Sequence, residues 1–200
     1  MFRRLVAAGL CLAAAALSTA AAPEGGGALY GKDVSAEHIG GRLDMPDQNG
    51  KRRRLEDFRG KVVLIFFGYT RCPDVCPTTL SRMARVMQLL GPDADKAQVL
   101  WVTVDPLRDK PALLRNYVPR FDARFIALRG SPLKTAQLAH DFHVDYEILN
   151  FQGTVLVDHS AFGYLIDPSG ETRLKIPYDM TAEQIASDVR AFLPNASTVH

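Results

Sequence analysis

Three residues separate Cys72 and Cys76 in the run Arg71-Cys72-Pro73-Asp74-Val75-Cys76-Pro77. In a helical turn such a pair occupies i and i+4, on one face and within reach of one another. The spacing suits a shared metal ion or a disulfide. The run follows Val62-Val63-Leu64-Ile65-Phe66-Phe67, an unbroken apolar stretch that reads as a buried strand, with Gly68-Tyr69-Thr70 as the loop leaving it. The thiols therefore lie where a strand hands over to a helix. A helix N-terminus favours the thiolate, the form that binds metal or attacks a disulfide. A structural disulfide is the plain alternative, but the tiny loop it would close gains little from a cross-link. Chemistry is the stronger reading of the pair.

The elements that must position these thiols can be read along the chain. Asp47-Gln48-Asn49-Gly50-Lys51 is a hairpin turn, with Arg52 to Leu55 as its second arm. Val62 to Phe67 is the first core strand. From Pro77, the apolar residues Leu80, Met83, Ala84, Met87 and Leu90 recur at helical spacing until Gly91-Pro92 stops them. Val99 to Val104 is a second buried strand, ended by Asp105-Pro106, and a helix runs from about Pro111 to Val118. A short strand over Phe125 to Leu128 precedes a helix over Leu133 to Phe142. Phe162 to Ile166 turns at Asp167-Pro168-Ser169-Gly170 into Thr172 to Ile176, a terminal hairpin. The last helix opens on the capping box Thr181-Ala182-Glu183-Gln184 and ends near Leu193.

This order predicts an α/β fold: a central mixed sheet flanked by helices, with an added N-terminal β-hairpin. The cysteines fall at the carboxyl end of a core strand, where open α/β folds place their sites. A dithiol there resembles a thioredoxin-like sandwich, although the ordinary thioredoxin pair is separated by two residues and this one by three.

Composition narrows the function classes. Of 200 residues 47% are hydrophobic and 23% charged, ordinary for a globular chain. The formal charge of +2 disappears once Arg3 and Arg4 are set aside as part of a targeting segment, so nothing points to nucleic acid. The basic run Lys51-Arg52-Arg53-Arg54 follows the turn dipeptide Asn49-Gly50 and reads as a solvated turn. Met-Phe-Arg-Arg and the Ala/Leu-rich stretch to Ala22 form an export signal, or a marginal membrane anchor if it is not cleaved. Cys11 lies inside that segment and is incidental, so export leaves a dithiol as the chain's whole thiol content. The expected organisation is signal or anchor over residues 1–22, linker over 23–39, one domain over 40–195 and a tail over 196–200.

His159, in Val155-Leu156-Val157-Asp158-His159-Ser160, reads as part of a loop just before the terminal hairpin. In a thioredoxin-like fold that loop approaches the active-site helix and usually carries a cis-proline. No proline occurs between Asn150 and Asp167. Two thiolates and one imidazole make a set suited to copper, since soft sulfur holds Cu(I) and imidazole accommodates both oxidation states. Spacing alone leaves a solvated loop histidine as the alternative. His140 and His143 read as surface or packing residues, because no carboxylate or cysteine completes a set with them. His38 and His200 are expected in mobile ends.

The run from Gly68 to Leu80 resembles the signature of the Sco/SenC copper-chaperone family. Thr103-Val104-Asp105-Pro106-Leu107-Arg108-Asp109-Lys110-Pro111 is similar to its second motif, and Asp158-His159-Ser160 through Leu165-Ile166-Asp167-Pro168-Ser169-Gly170 to its third. Asp47 to Gly50 and Phe58-Arg59-Gly60-Lys61 match its N-terminal hairpin. The resemblance spans roughly Gly40 to Leu193 and implies a thioredoxin-like fold. It implies one copper, Cu(I) or Cu(II), held by Cys72, Cys76 and His159, with Asp105 as a supporting acidic group. Asp74 is a candidate supporting residue or simply a helix-start residue. The implied partner is the binuclear copper site of cytochrome c oxidase subunit II, with another periplasmic copper carrier as a further partner. The implied setting is a monomer in the periplasm, soluble or membrane-tethered. A thiol-disulfide reductase that keeps the apo-subunit's cysteines reduced is the competing function; a structural disulfide in a binding module leaves His159 unexplained.

Overall fold

The computed structural model describes residues 28–151 and 154–194. A six-stranded mixed sheet forms the centre, built from β1 (Lys32–Asp33), β4 (Val62–Gly68), β5 (Ala97–Thr103), β6 (Ile126–Leu128), β9 (Gly163–Ile166) and β10 (Thr172–Ile176). Their spatial order is β1-β10-β9-β4-β5-β6. Strands β4, β5 and β6 run parallel, while β9 lies antiparallel to β4. The helices are α1 (Val75–Leu90), α2 (Pro111–Tyr117), α3 (Pro132–Asp141) and α4 (Ala182–Phe192).

The unbroken apolar run of β4 follows from burial on both faces. Val62, Leu64 and Phe66 join Val99 and Trp101 in one core layer, against Leu80, Met83 and Met87 of α1 and Ile185 and Val189 of α4. Val63, Ile65 and Phe67 face the other way and pack with Leu100, Val102, Leu138 and Phe142. Full burial of each such side chain contributes about 1.5–3 kcal/mol, so a shift of β4 would disturb both core layers at once.

The N-terminal hairpin pairs β2 (Asp44–Pro46) with β3 (Arg52–Arg54). It covers the sheet edge at β6. Gln48 accepts the Ala127 N–H at 2.9 Å and donates to the Phe125 carbonyl, and Arg129 N–H reaches the Pro46 carbonyl at 3.0 Å. An otherwise open edge is thereby closed. The arginines of the basic run pair within this hairpin: Arg52 with Asp44 at 2.5 Å, Arg53 with the buried Asp47 at 2.9 Å, and Arg54 with Asp44 at 3.8 Å.

Several expectations are corrected. Residues 32–39 belong to the fold rather than to a linker: β1 pairs with β10, and Val34 and Ile39 are buried in the core. His38 accordingly stands on an exposed turn within the structure, with φ 50, not in a mobile end. The stretch around His159 is not a loop. Thr154–His159 forms strand β8, paired with β7 (Tyr146–Phe151) in a separate two-stranded sheet, Tyr146 opposite His159. Apolar residues scattered without strict alternation hid β7 from periodicity. Helix α1 also begins two residues before Pro77. The expected segment 1–22, Cys11, the tail 196–200 and His200 lie outside the described residues.

Candidate metal centre

Three elements deliver the three expected donors. Cys76 is buried in the first turn of α1; Cys72 is half-buried on the irregular stretch between β4 and α1; His159 is the last residue of β8. Their ligand atoms all lie within 4.8 Å of one another, and among the described residues they form the one cluster of this kind. Cys76 Sγ is 3.4 Å from His159 Nε2, although 83 residues separate them. The Cys76 backbone N–H points at Cys72 Sγ at 3.4 Å, an orphan donor of the helix N-terminus placed on sulfur. Both thiols are free.

The imidazole is oriented by its other nitrogen. His159 Nδ1 sits 2.9 Å from the Ser160 carbonyl oxygen. A carbonyl only accepts, so Nδ1 carries the proton and Nε2 turns its lone pair toward the thiols. Burial pushes the His159 pKa down and the Cys76 thiol up. The metal-free pair is therefore neutral at neutral pH, with Cys76 S–H donating to His159 Nε2. The Tyr69 ring stands edge-on to His159, centroids 6.0 Å apart.

Gly68, the last residue of β4, is required by space. A Cβ there would lie 2.8 Å from Cys76 Sγ and 2.8 Å from Trp101 Nε1. The strand can pass beneath the sulfur only without a side chain.

The remaining candidates are placed apart from the three. Asp105 is buried and its carboxylate is paired with the Arg108 guanidinium; it is not among the clustered donors. Asp74 is exposed at the N-cap of α1, where its side chain makes no capping bond to the backbone and accepts from the Thr78 hydroxyl at 3.3 Å. His140 and His143 are both exposed. Residue-by-residue reasoning did not single out Gly68, the Ser160 carbonyl or Asp109. Asp109 is fully buried and receives three hydrogen bonds from Thr70 and Thr103. A turn-rich Asp-Pro-x-x-Asp run was its only sequence signal.

The profile of the SCO1/SenC family matches residues 31–194. The chain belongs to the SCO1/SenC family. This SCO1/SenC chain is 35% identical over 150 residues to the SCO2-like protein RP587 of Rickettsia prowazekii, covering 74% of this chain and 73% of that one. It is 36% identical over 154 residues to the mitochondrial SCO2 homolog of Homo sapiens, covering 75% of this chain and 58% of the human protein. Among solved structures it is similar to Bradyrhizobium japonicum ScoI with copper bound, at 38% identity and a TM-score of 0.73, covering 78% of this chain and 99% of that one. The apo Sco1 protein of Thermus thermophilus superposes with a TM-score of 0.74 at 34% identity, over 83% of this chain and 98% of that one. The mixed sheet flanked by helices is the thioredoxin-like architecture of these Sco proteins.

Proposed function

We propose that this protein is a copper metallochaperone. It takes one copper ion, as Cu(I) or Cu(II), on Cys72, Cys76 and His159, and helps to assemble the binuclear copper centre of cytochrome c oxidase subunit II. The observation that carries this reading is the convergence of two sulfurs and one unprotonated imidazole nitrogen within 4.8 Å, from a loop, a helix and a strand. Thiolate and imidazole together suit copper in both oxidation states. The similarity to a ScoI solved with copper bound supports the same cargo here.

The chain's own groups do the preparatory work. Ser160 holds the tautomer that frees Nε2, and loading displaces the Cys76 proton, so the dithiol must be reduced before metal enters. Three protein donors leave the ion open to an incoming thiolate of the partner, and transfer proceeds by ligand exchange. Asp105 and Asp74 act as supporting residues, not ligands. The setting that fits the first 22 residues is the periplasm, as a monomer either freed by cleavage or tethered there, loaded by another periplasmic copper carrier. No helix among the described residues is long and apolar enough to cross a membrane.

One asymmetry favours a second activity, thiol-disulfide reduction. Cys72 is the more exposed sulfur and receives a backbone N–H, whereas Cys76 is buried. Cys72 thiolate would attack a disulfide of the apo-subunit, releasing one partner thiolate. Cys76 would then attack Cys72 Sγ and release the second, leaving the partner reduced and this chain oxidised.

His159→Ala separates the two. As a chaperone the variant binds copper at least about tenfold more weakly and fails to load the oxidase, while its dithiol still cycles. Wild-type affinity at one equivalent of copper would remove His159 from the site. Full oxidase loading by His159→Ala together with lost copper binding would make reduction the main role.

A further inference from the structure

We propose that Asp109 is a positioning residue for the dithiol: its buried carboxylate clamps the turn that carries Cys72 and so sets where that sulfur meets Cys76 and His159. This rests on the metal-site reading given above and deepens it.

Cys76 is held by a helix and His159 by a strand end and its bond to Ser160, but Cys72 stands on irregular backbone. That backbone needs an anchor of its own. Asp109 supplies it from the segment just before α2. Thr70, two residues before Cys72, donates its hydroxyl to Asp109 Oδ1 at 2.5 Å and its backbone N–H to Oδ2 at 3.1 Å. Thr103, the last residue of β5, donates its hydroxyl to Oδ2 at 2.6 Å and accepts the Asp105 N–H at 3.0 Å. Asp109 N–H in turn reaches the Asp105 carbonyl at 2.9 Å.

Both carboxylate oxygens are therefore engaged, and one side chain ties the ends of β4 and β5 to the start of α2. The parallel pairing of β4 and β5 continues past the strands in the Val104 N–H to Gly68 carbonyl bond at 2.9 Å. The clamp begins two residues beyond it, where sheet pairing has stopped and the chain must turn toward Cys72. Hydrogen bonds to a charged acceptor are the strong ones, and a buried carboxylate with three of them resists rearrangement. Burial raises the Asp109 pKa, and the hydrogen bonds from Thr70 and Thr103 oppose that rise by favouring the carboxylate.

The test compares Asp109→Ala, Thr70→Val and Thr70→Ser with the wild-type chain. Copper affinity is read by chelator competition, and ligand geometry by the thiolate-to-copper charge-transfer spectrum. Asp109→Ala is expected to bind about tenfold more weakly with an altered spectrum, Thr70→Val to shift in the same direction, and Thr70→Ser to restore both. A folded Asp109→Ala with unchanged affinity and spectrum overturns the proposal. If that variant does not fold, the threonine pair decides: Thr70→Val matching wild type, or Thr70→Ser matching Thr70→Val, overturns it.

A metal-free measurement keeps this distinct from the copper reading. The dithiol and oxidised glutathione equilibrate with the Cys72–Cys76 disulfide and two glutathione thiols. A tenfold change in that equilibrium constant in Thr70→Val, reversed in Thr70→Ser, upholds the clamp even if the wild-type chain takes up no copper, in which case only the metal reading fails. Equal constants in all forms overturn the clamp alone.

Discussion

At the scale of single residues, the site is a set of proton positions as much as a set of atoms. Burial raises the Cys76 thiol pKa and lowers that of His159, so near neutral pH the sulfur holds its proton and the ring does not compete for one. The sign of the pH effect follows. On the proposed site copper takes Cys76 as thiolate, so each rise of one pH unit below the thiol pKa would favour uptake about tenfold through that proton alone. Apparent copper affinity should climb steadily from pH 6 to pH 8, with proton release visible in calorimetry across buffers of different ionisation heat. A flat profile would mean that Cys76 is not displaced. Gly68 shows the same economy of space, since a methyl there would meet the sulfur itself.

At the scale of elements, the segment expected to be linker turns out to be fastened to the last helix. Asp188 of α4, almost fully buried, accepts the Tyr30 N–H at 2.9 Å and the Gly31 N–H at 2.7 Å. These bonds set where β1 joins β10. Asp188→Ala would strand two backbone donors and is expected to cost about 2–3 kcal/mol. Urea unfolding measures the loss, and amide exchange should quicken over residues 30–34 while copper affinity stays unchanged. An unaltered midpoint would show that water replaces the carboxylate without penalty. The hairpin β7–β8 is the other element that matters, because it carries His159 to α1 from outside the central sheet.

At the scale of the molecule, copper would bind only the assembled fold, since loop, helix and strand each contribute one donor. Binding to the native state alone stabilises it by about 2.7 kcal/mol when free copper reaches a hundred times the dissociation constant. The reduced chain should therefore melt several degrees higher with copper than without. The oxidised chain, and Cys72→Ser, should show no comparable rise. Equal melting temperatures with and without metal would count against a site shared among three elements.

Much of this was legible in the residues themselves. Dense apolar runs bounded by glycine and proline mark β4 and β5. The Thr181 capping box marks α4, with both of its reciprocal bonds formed. Cys72 and Cys76 announce their proximity because only three residues separate them, a local relation that holds although Cys72 precedes the helix. What the sequence could not decide is what long-range packing decides. The strand β7 carries no clear period, and its pairing with β8 turns an apparent loop into the arm that places His159 3.4 Å from Cys76. The tie of Asp109 to Thr70 spans 39 residues, and that of Asp188 to Gly31 spans 157. Such contacts exist only once the sheet has brought strand ends together, so residue types and spacing determined the dithiol, the family resemblance implied the histidine, and the tertiary structure alone determined what brings the three together and holds them in place.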